Sequence, residues 1–206
     1  MTHYAISELL IVVAGTWAAQ RLLKNNHRAA AIGILLFIVA AAIGVVRFGF
    51  DRDGSLIAGL ADIHRIAGTF GGTAAMMCLV YDVLGRRTVW MTWQNRYLAV
   101  VIIVMTAAIA VPRLIVPIFA LWSLGFIWLV SRTAPTLERP TEQAVAIAGL
   151  MLFNVLVFRQ SPYLAPAVSW HIFHVLVAVW LIGLGFLLRV GTPGGAVKNK
   201  TENKTG

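Results

Sequence analysis

Residues 169–190 read SWHIFHVLVAVWLIGLGFLLRV, an apolar run interrupted near its start only by Ser169 and two histidines, His171 and His174, and closed by Arg189. A helix crosses the roughly 30 Å hydrocarbon layer of a bilayer with about 20 mostly apolar residues, because each residue rises about 1.5 Å. The stretch is therefore read as a membrane helix and not as the core helix of a soluble domain. Working outward from it, six further runs meet the same test, at residues 5 to 23, 29 to 49, 56 to 82, 97 to 111, 114 to 131 and 143 to 159. The expected fold is all-α: a polytopic membrane protein built as a bundle of seven transmembrane helices.

Composition supports this. Of 206 residues, 59% are hydrophobic and 12% charged, so charge is too scarce to solvate the outside of an ordinary globule. A soluble enzyme and a disordered chain are excluded, and the single cysteine, Cys78, excludes a disulfide scaffold. The net charge of +9 does not signal nucleic acid, since the basic residues fall between apolar runs and form no stripe. Residues 1–190 are expected to form one transmembrane domain. Residues 191–206, GTPGGAVKNKTENKTG, are nearly devoid of apolar side chains and are expected to form a disordered polar tail. The first run carries Arg21, Lys24 and Arg28 after its apolar part, the wrong order for a cleaved signal, so it is expected to stay as a helix. Pro112 and Pro117 predict a tight hairpin between the fourth and fifth helices, with Arg113 at its tip.

With seven crossings, five basic residues (Arg47, Arg52, Arg65, Arg113 and Arg159) fall on or near the face that holds the N-terminus, and the other twelve on the opposite face. Positive charge favours the cytoplasm, so the expected placement is an integral protein of the plasma (inner) membrane, N-terminus outside and C-terminus cytoplasmic.

Ionisable groups at hydrocarbon depth are costly and so point to function. His64 lies near the start of the third helix, and His171 and His174 near the start of the seventh. Both helices begin on the same face, which brings the three imidazoles to one depth, where they could serve as zinc ligands with water in a fourth position. Taken singly, each histidine is equally explained as a helix cap or an interhelical bond. Glu8 and Asp62 lie on the same face. Either could handle protons, although Asp62 is also placed to pair with Arg65 one turn on. Arg47, Arg65, Arg113 and Arg159 could hold an anionic substrate or haem propionates, or could snorkel to lipid phosphate. Gly68, Gly71 and Ala75 put a smooth groove beside His64, suited to a neighbouring helix or a flat ligand. Tyr97, with Trp90 and Trp93, and separately Tyr163 and Trp170, read as an interfacial aromatic belt, Asn154 as an interhelical hydrogen bond, and His3 and His27 as solvated surface residues. The sequence shows no Gly-rich phosphate loop, nucleophile elbow or helix-seven lysine.

IFHVLV, residues 172–177, with His171 just upstream and His64 in an early helix, resembles the superfamily of seven-helix membrane hydrolases comprising alkaline ceramidases and the progestin and adiponectin receptors. The resemblance implies zinc held by one early histidine and two from the seventh helix, and hydrolysis of lipid amides by metal-bound water. His174 matches the second histidine of the seventh-helix pair. The chain departs in having His-x-x-His where the family has His-x-x-x-His, with Trp170 at the first ligand position, and Leu60 where the family places serine. The early histidine also falls in the third helix here, where the family has it in the second. A second likeness, His64-Arg65-Ile66-Ala67-Gly68, is to the His-Arg-x-x-Gly of haem-bearing helices in ferric-reductase-like and b-type cytochrome proteins.

The expected function is a membrane-embedded, zinc-dependent hydrolase of a lipid-like substrate, using His64, His171 and His174 as metal ligands and Glu8 or Asp62 for protons. The alternatives are a redox protein binding haem b or a quinone at the same histidines, and a transporter or receptor for a small anionic ligand. The lipid bilayer is the expected partner, with no nucleic acid.

Overall fold

Within hydrocarbon no water is available to backbone N–H and C=O groups, so each apolar run must satisfy them internally as a helix. The computed structural model describes residues 2–51, 57–85, 91–134, 140–159 and 161–188. It is an all-α bundle whose seven helices are α1 (Thr2–Lys24), α2 (Arg28–Gly49), α3 (Leu60–Leu84), α4 (Met91–Ala110), α5 (Ile115–Thr133), α6 (Thr141–Asn154) and α7 (Pro166–Leu187). Among the described residues six segments are long and apolar enough to cross a membrane; the apolar part of α4, Arg96–Ala110, is shorter. α1 and α4 start earlier than their apolar runs, at Thr2 and Met91, and α3 starts later, at Leu60, after the left-handed Gly59.

The helices pack as a ring in the order α1, α2, α3, α5, α6, α7 and back to α1, with α4 outside it against α3 and only lightly against α5. Small residues let the backbones approach: Ala18, Ala30, Ala31, Ala75 and Ala148 are almost fully buried. Large apolar residues point outward instead, among them Ile32, Leu35, Val39, Ile102, Ile103 and Leu121, as in a bundle solvated by lipid. The expected turn between α4 and α5 is a 3-10 turn at Pro112–Leu114 with Arg113 exposed. At the other end of α6 the chain continues as a π-helical turn, Val155–Arg159.

Two residues assigned to the surface by their sequence position are not there. α1 ends in a Schellman motif: Asn26 takes the left-handed conformation (φ 61°), and the N–H groups of His27 and Asn26 donate to the carbonyls of Leu22 and Leu23 at 2.8 and 3.0 Å. That turn drives His27 inward, 1% exposed, where its Nδ1 meets the carboxylate of Asp82 in α3. Tyr97 is no belt residue: its hydroxyl donates to the Met77 carbonyl (2.8 Å) and accepts from Trp122 Nε1 (2.5 Å), fastening α4 to α3 and α5. Trp90 and the tail at 191–206 lie outside the described residues.

Candidate functional site

The start of α1, the end of α2 and the starts of α3, α5 and α7 meet at one end of the bundle. Between them lies a cavity of about 830 Å³ that includes Glu8, Arg47, His64, Arg159, Trp170 and His174 in its wall. This volume falls within the range of roughly 300–1,000 Å³ typical of small-molecule sites.

Glu8 is 2% exposed, His64 8% and His174 4%. Glu8 Oε1 lies 3.3 Å from His64 Nε2 and 3.2 Å from His174 Nε2, so one carboxylate oxygen bridges imidazoles from α3 and α7. Both are ion-pair approaches, and Oε1 makes no hydrogen bond. Glu8 reaches this place because Gly44 of α2 faces it: a Cβ there would lie 2.6 Å from the Glu8 carboxyl carbon.

The outer nitrogens of the two rings have opposite partners. His174 Nδ1 lies 2.7 Å from the Trp170 carbonyl, which can only accept, so Nδ1 carries a hydrogen. His64 Nδ1 lies 3.3 Å from Arg47 Nη1, which can only donate, so that nitrogen accepts. A neutral His64 therefore carries its hydrogen on Nε2, the nitrogen nearer Glu8. A neutral His174 would present a bare Nε2 to a carboxylate oxygen, lone pair against lone pair. The 3.2 Å gap between them is favourable only with a proton or another cation in it. The Trp170 ring stacks on His174 with centroids 4.5 Å apart and restricts its rotation.

The other expected site residues divide. His171, one turn from His174, does not join the cluster. Its Nδ1 lies 2.5 Å from Ser7 Oγ, and its ring stacks on Tyr4 beside His3. Residues three apart on a helix diverge by about 60°, and here that angle sends one imidazole to the cavity and the other to α1. Asp62 forms the exposed i,i+3 pair with Arg65 at 3.2 Å, at the cavity rim and apart from the histidines. Arg47 and Arg159 line the cavity, the latter with its guanidinium 5.2 Å from the Phe173 ring, whereas Arg113 is not among the lining residues. The small-residue stripe of α3 splits: Gly71 packs on the α2 backbone, 3.2 Å from the Leu36 carbonyl by its would-be Cβ, while Gly68 and Gly72 line the cavity. Asn154 makes the expected interhelical bond, Nδ2 donating to the Phe173 carbonyl at 2.8 Å.

Gly44, Ser7 and the Trp170 carbonyl were not singled out from the sequence. Trp170, expected in the interfacial belt, instead lines the cavity and holds His174, and the sequence signal for this was its position one helical turn before that histidine. Among the described residues no group of three or more His, Cys, Asp or Glu side chains has the arrangement of a metal site. Comparison with protein-family models, curated proteins and solved structures gives no match to this chain.

Proposed function

We propose that the chain is a membrane-embedded enzyme that draws a lipid-like molecule with an anionic head into this cavity and acts on it by acid–base chemistry, with Glu8, His64 and His174 as its reactive centre. The observation that carries this reading is the 3.2 Å approach of Glu8 Oε1 to His174 Nε2, a carboxylate oxygen against the ring nitrogen left free by the Trp170 carbonyl. A carboxylate and an imidazole at this distance can pass a proton between them, which suits a group that must take up and return protons at hydrocarbon depth. Arg47 then serves twice, fixing the His64 tautomer and offering positive charge to the head of the substrate together with Arg159. In this reading the N-terminus and the cavity face the outside of the plasma membrane, as the distribution of basic residues favours.

A second reading is supported by the unpartnered Glu8 oxygen. With His171 turned away, Glu8 would take its place as a ligand beside His64 and His174. Zinc would then supply a water of lowered pKa for hydrolysis. His174, with Nδ1 held by a carbonyl, suits a ligand. His64 does not: on Nε2 ligation its Nδ1 hydrogen would face an Arg47 N–H at 3.3 Å, donor against donor. A haem bridging His64 and His174 would have to displace Glu8 from between them.

The test uses purified protein in nanodiscs with long-chain acyl ester, acyl amide and alkyl phosphate probes. Turnover of one class is expected, falling about a hundredfold in Glu8→Gln and in His174→Gln and persisting in His171→Gln. Turnover that survives exhaustive chelation supports the proton reading, and loss restored by stoichiometric zinc supports the second. Binding without turnover of any probe would overturn the enzyme proposal in favour of transport or sensing.

A further inference from the structure

The cavity has an apolar arm that the reactive centre does not use. On α2 its lining runs from Arg47 to Phe37 and on α3 from His64 to Thr73. At about 1.5 Å per residue these spans are each roughly 13–15 Å along the helix axes, from the level of the guanidinium and imidazoles into the bundle. On α3 the arm is faced by Gly68 and Gly72, one turn apart. A Cβ at Gly68 would meet nothing within 4 Å, and one at Gly72 only the Phe37 and Phe119 rings, no nearer than 3.8 Å. These glycines are therefore not required for packing, in contrast to Gly71 and Gly33, whose faces are closed by α2 and α3 backbone. Independently, two guanidinium-bearing residues, Arg47 and Arg159, line the polar end of the same cavity.

We infer that the ligand is a single-chain amphiphile with a carboxylate or phosphate head, seated head-first against Arg47 and Arg159, and that Gly68 and Gly72 form the channel for its alkyl chain and set the chain length accepted. This rests on the lipid-like reading given above and deepens it. The run of lining residues along α2 and α3 is matched in length to one alkyl chain. A compact anion would leave the apolar arm unfilled, and burying each methylene there contributes favourably to binding.

The experiment measures binding of octyl, dodecyl and hexadecyl phosphates, and of the matching fatty acids, to the full chain in nanodiscs, with dodecyltrimethylammonium as the charge control. Affinity is expected to rise from octyl to dodecyl, with no saturable binding of the cation. Gly72→Leu should weaken dodecyl phosphate at least about tenfold and affect octyl phosphate far less, because Gly72 lies eight residues, about 12 Å, beyond His64 and past the reach of an octyl chain, whereas Gly68→Leu, about 6 Å in, should weaken both. Gly72→Ala is the gentler companion and should shift the preferred length in the same direction; size-exclusion profiles identify any variant that has failed to fold. Arg159→Gln should weaken every chain length alike. If anionic probes bind but neither Gly72 variant changes the dependence on length, the chain channel is overturned while the lipid-like reading stands. If no amphiphile of either charge binds, both fail.

Discussion

Replacing Gly44 with alanine tests the reactive centre without touching any of its ionisable groups. The added Cβ would stand 2.6 Å from Glu8 Cδ and 2.8 Å from both Cγ and Oε1. Carbon atoms in contact prefer about 3.5–4.0 Å, so the carboxylate must withdraw by roughly 1 Å. That shift takes Oε1 from 3.2 and 3.3 Å to beyond ion-pair reach of at least one imidazole. Misplacement of a reacting group by 1 Å costs on the order of a hundredfold in rate, so Gly44→Ala should approach Glu8→Gln in turnover. The direct assay is nitrogen-15 NMR of histidine-labelled protein in nanodiscs. The Nε2 resonances of His64 and His174 should move in Gly44→Ala and in Glu8→Gln, with the Nδ1 resonance of His174 unchanged because its carbonyl partner stays. Gly49→Ala, at the same end of α2, is the control, since its Cβ would meet only that of Ala5 at an ordinary 3.7 Å. Wild-type histidine spectra in Gly44→Ala would refute the claim that this close approach holds Glu8 between the rings.

Three further outcomes follow from the geometry. Ser7→Ala removes the 2.5 Å contact with His171 and should cost about 1 kcal/mol of stability in detergent denaturation, with the His174 resonances unmoved. His27→Ala removes the imidazole from the buried Asp82 carboxylate and should destabilise the bundle by about 1–3 kcal/mol, read as loss of thermal stability, while affinity for cavity ligands measured below the transition is retained. Asp62→Asn breaks an exposed pair and should change stability by less than about 0.5 kcal/mol, leaving turnover intact; a large activity loss would return Asp62 to the reactive centre.

The helices were legible because hydrocarbon imposes a length and a composition on every crossing, and that constraint is local in sequence. The depth of His64, His174 and Glu8 was legible for the same reason, through the rise per residue. Rotation about each helix axis was not. Whether His171 or His174 faces the cavity depends on how α7 is turned against α1, which the nearly all-round apolarity of α7 does not encode, and the structure settles it through the Ser7 contact and the Trp170 stack. His27 was misplaced because a polar residue in a short connection normally faces water. Its burial follows from the Schellman geometry of Asn26 together with a carboxylate 55 positions away in α3. α4 was read too short because its amino-terminal turn is not apolar.

The π turn at Val155–Arg159 has a bearing on how insertions and deletions act. Such a turn carries one residue more than an α-helical turn would, and each residue rotates the chain by about 100°. Deleting Val157 would restore regular winding and swing the guanidinium of residue 159 a quarter-turn or more away from Phe173, without altering a single side chain in the cavity wall. A change in chain count outside the reactive centre would thus rewrite the charge offered to an incoming head group, giving this end of the bundle a simple route by which related chains could diverge in what they accept.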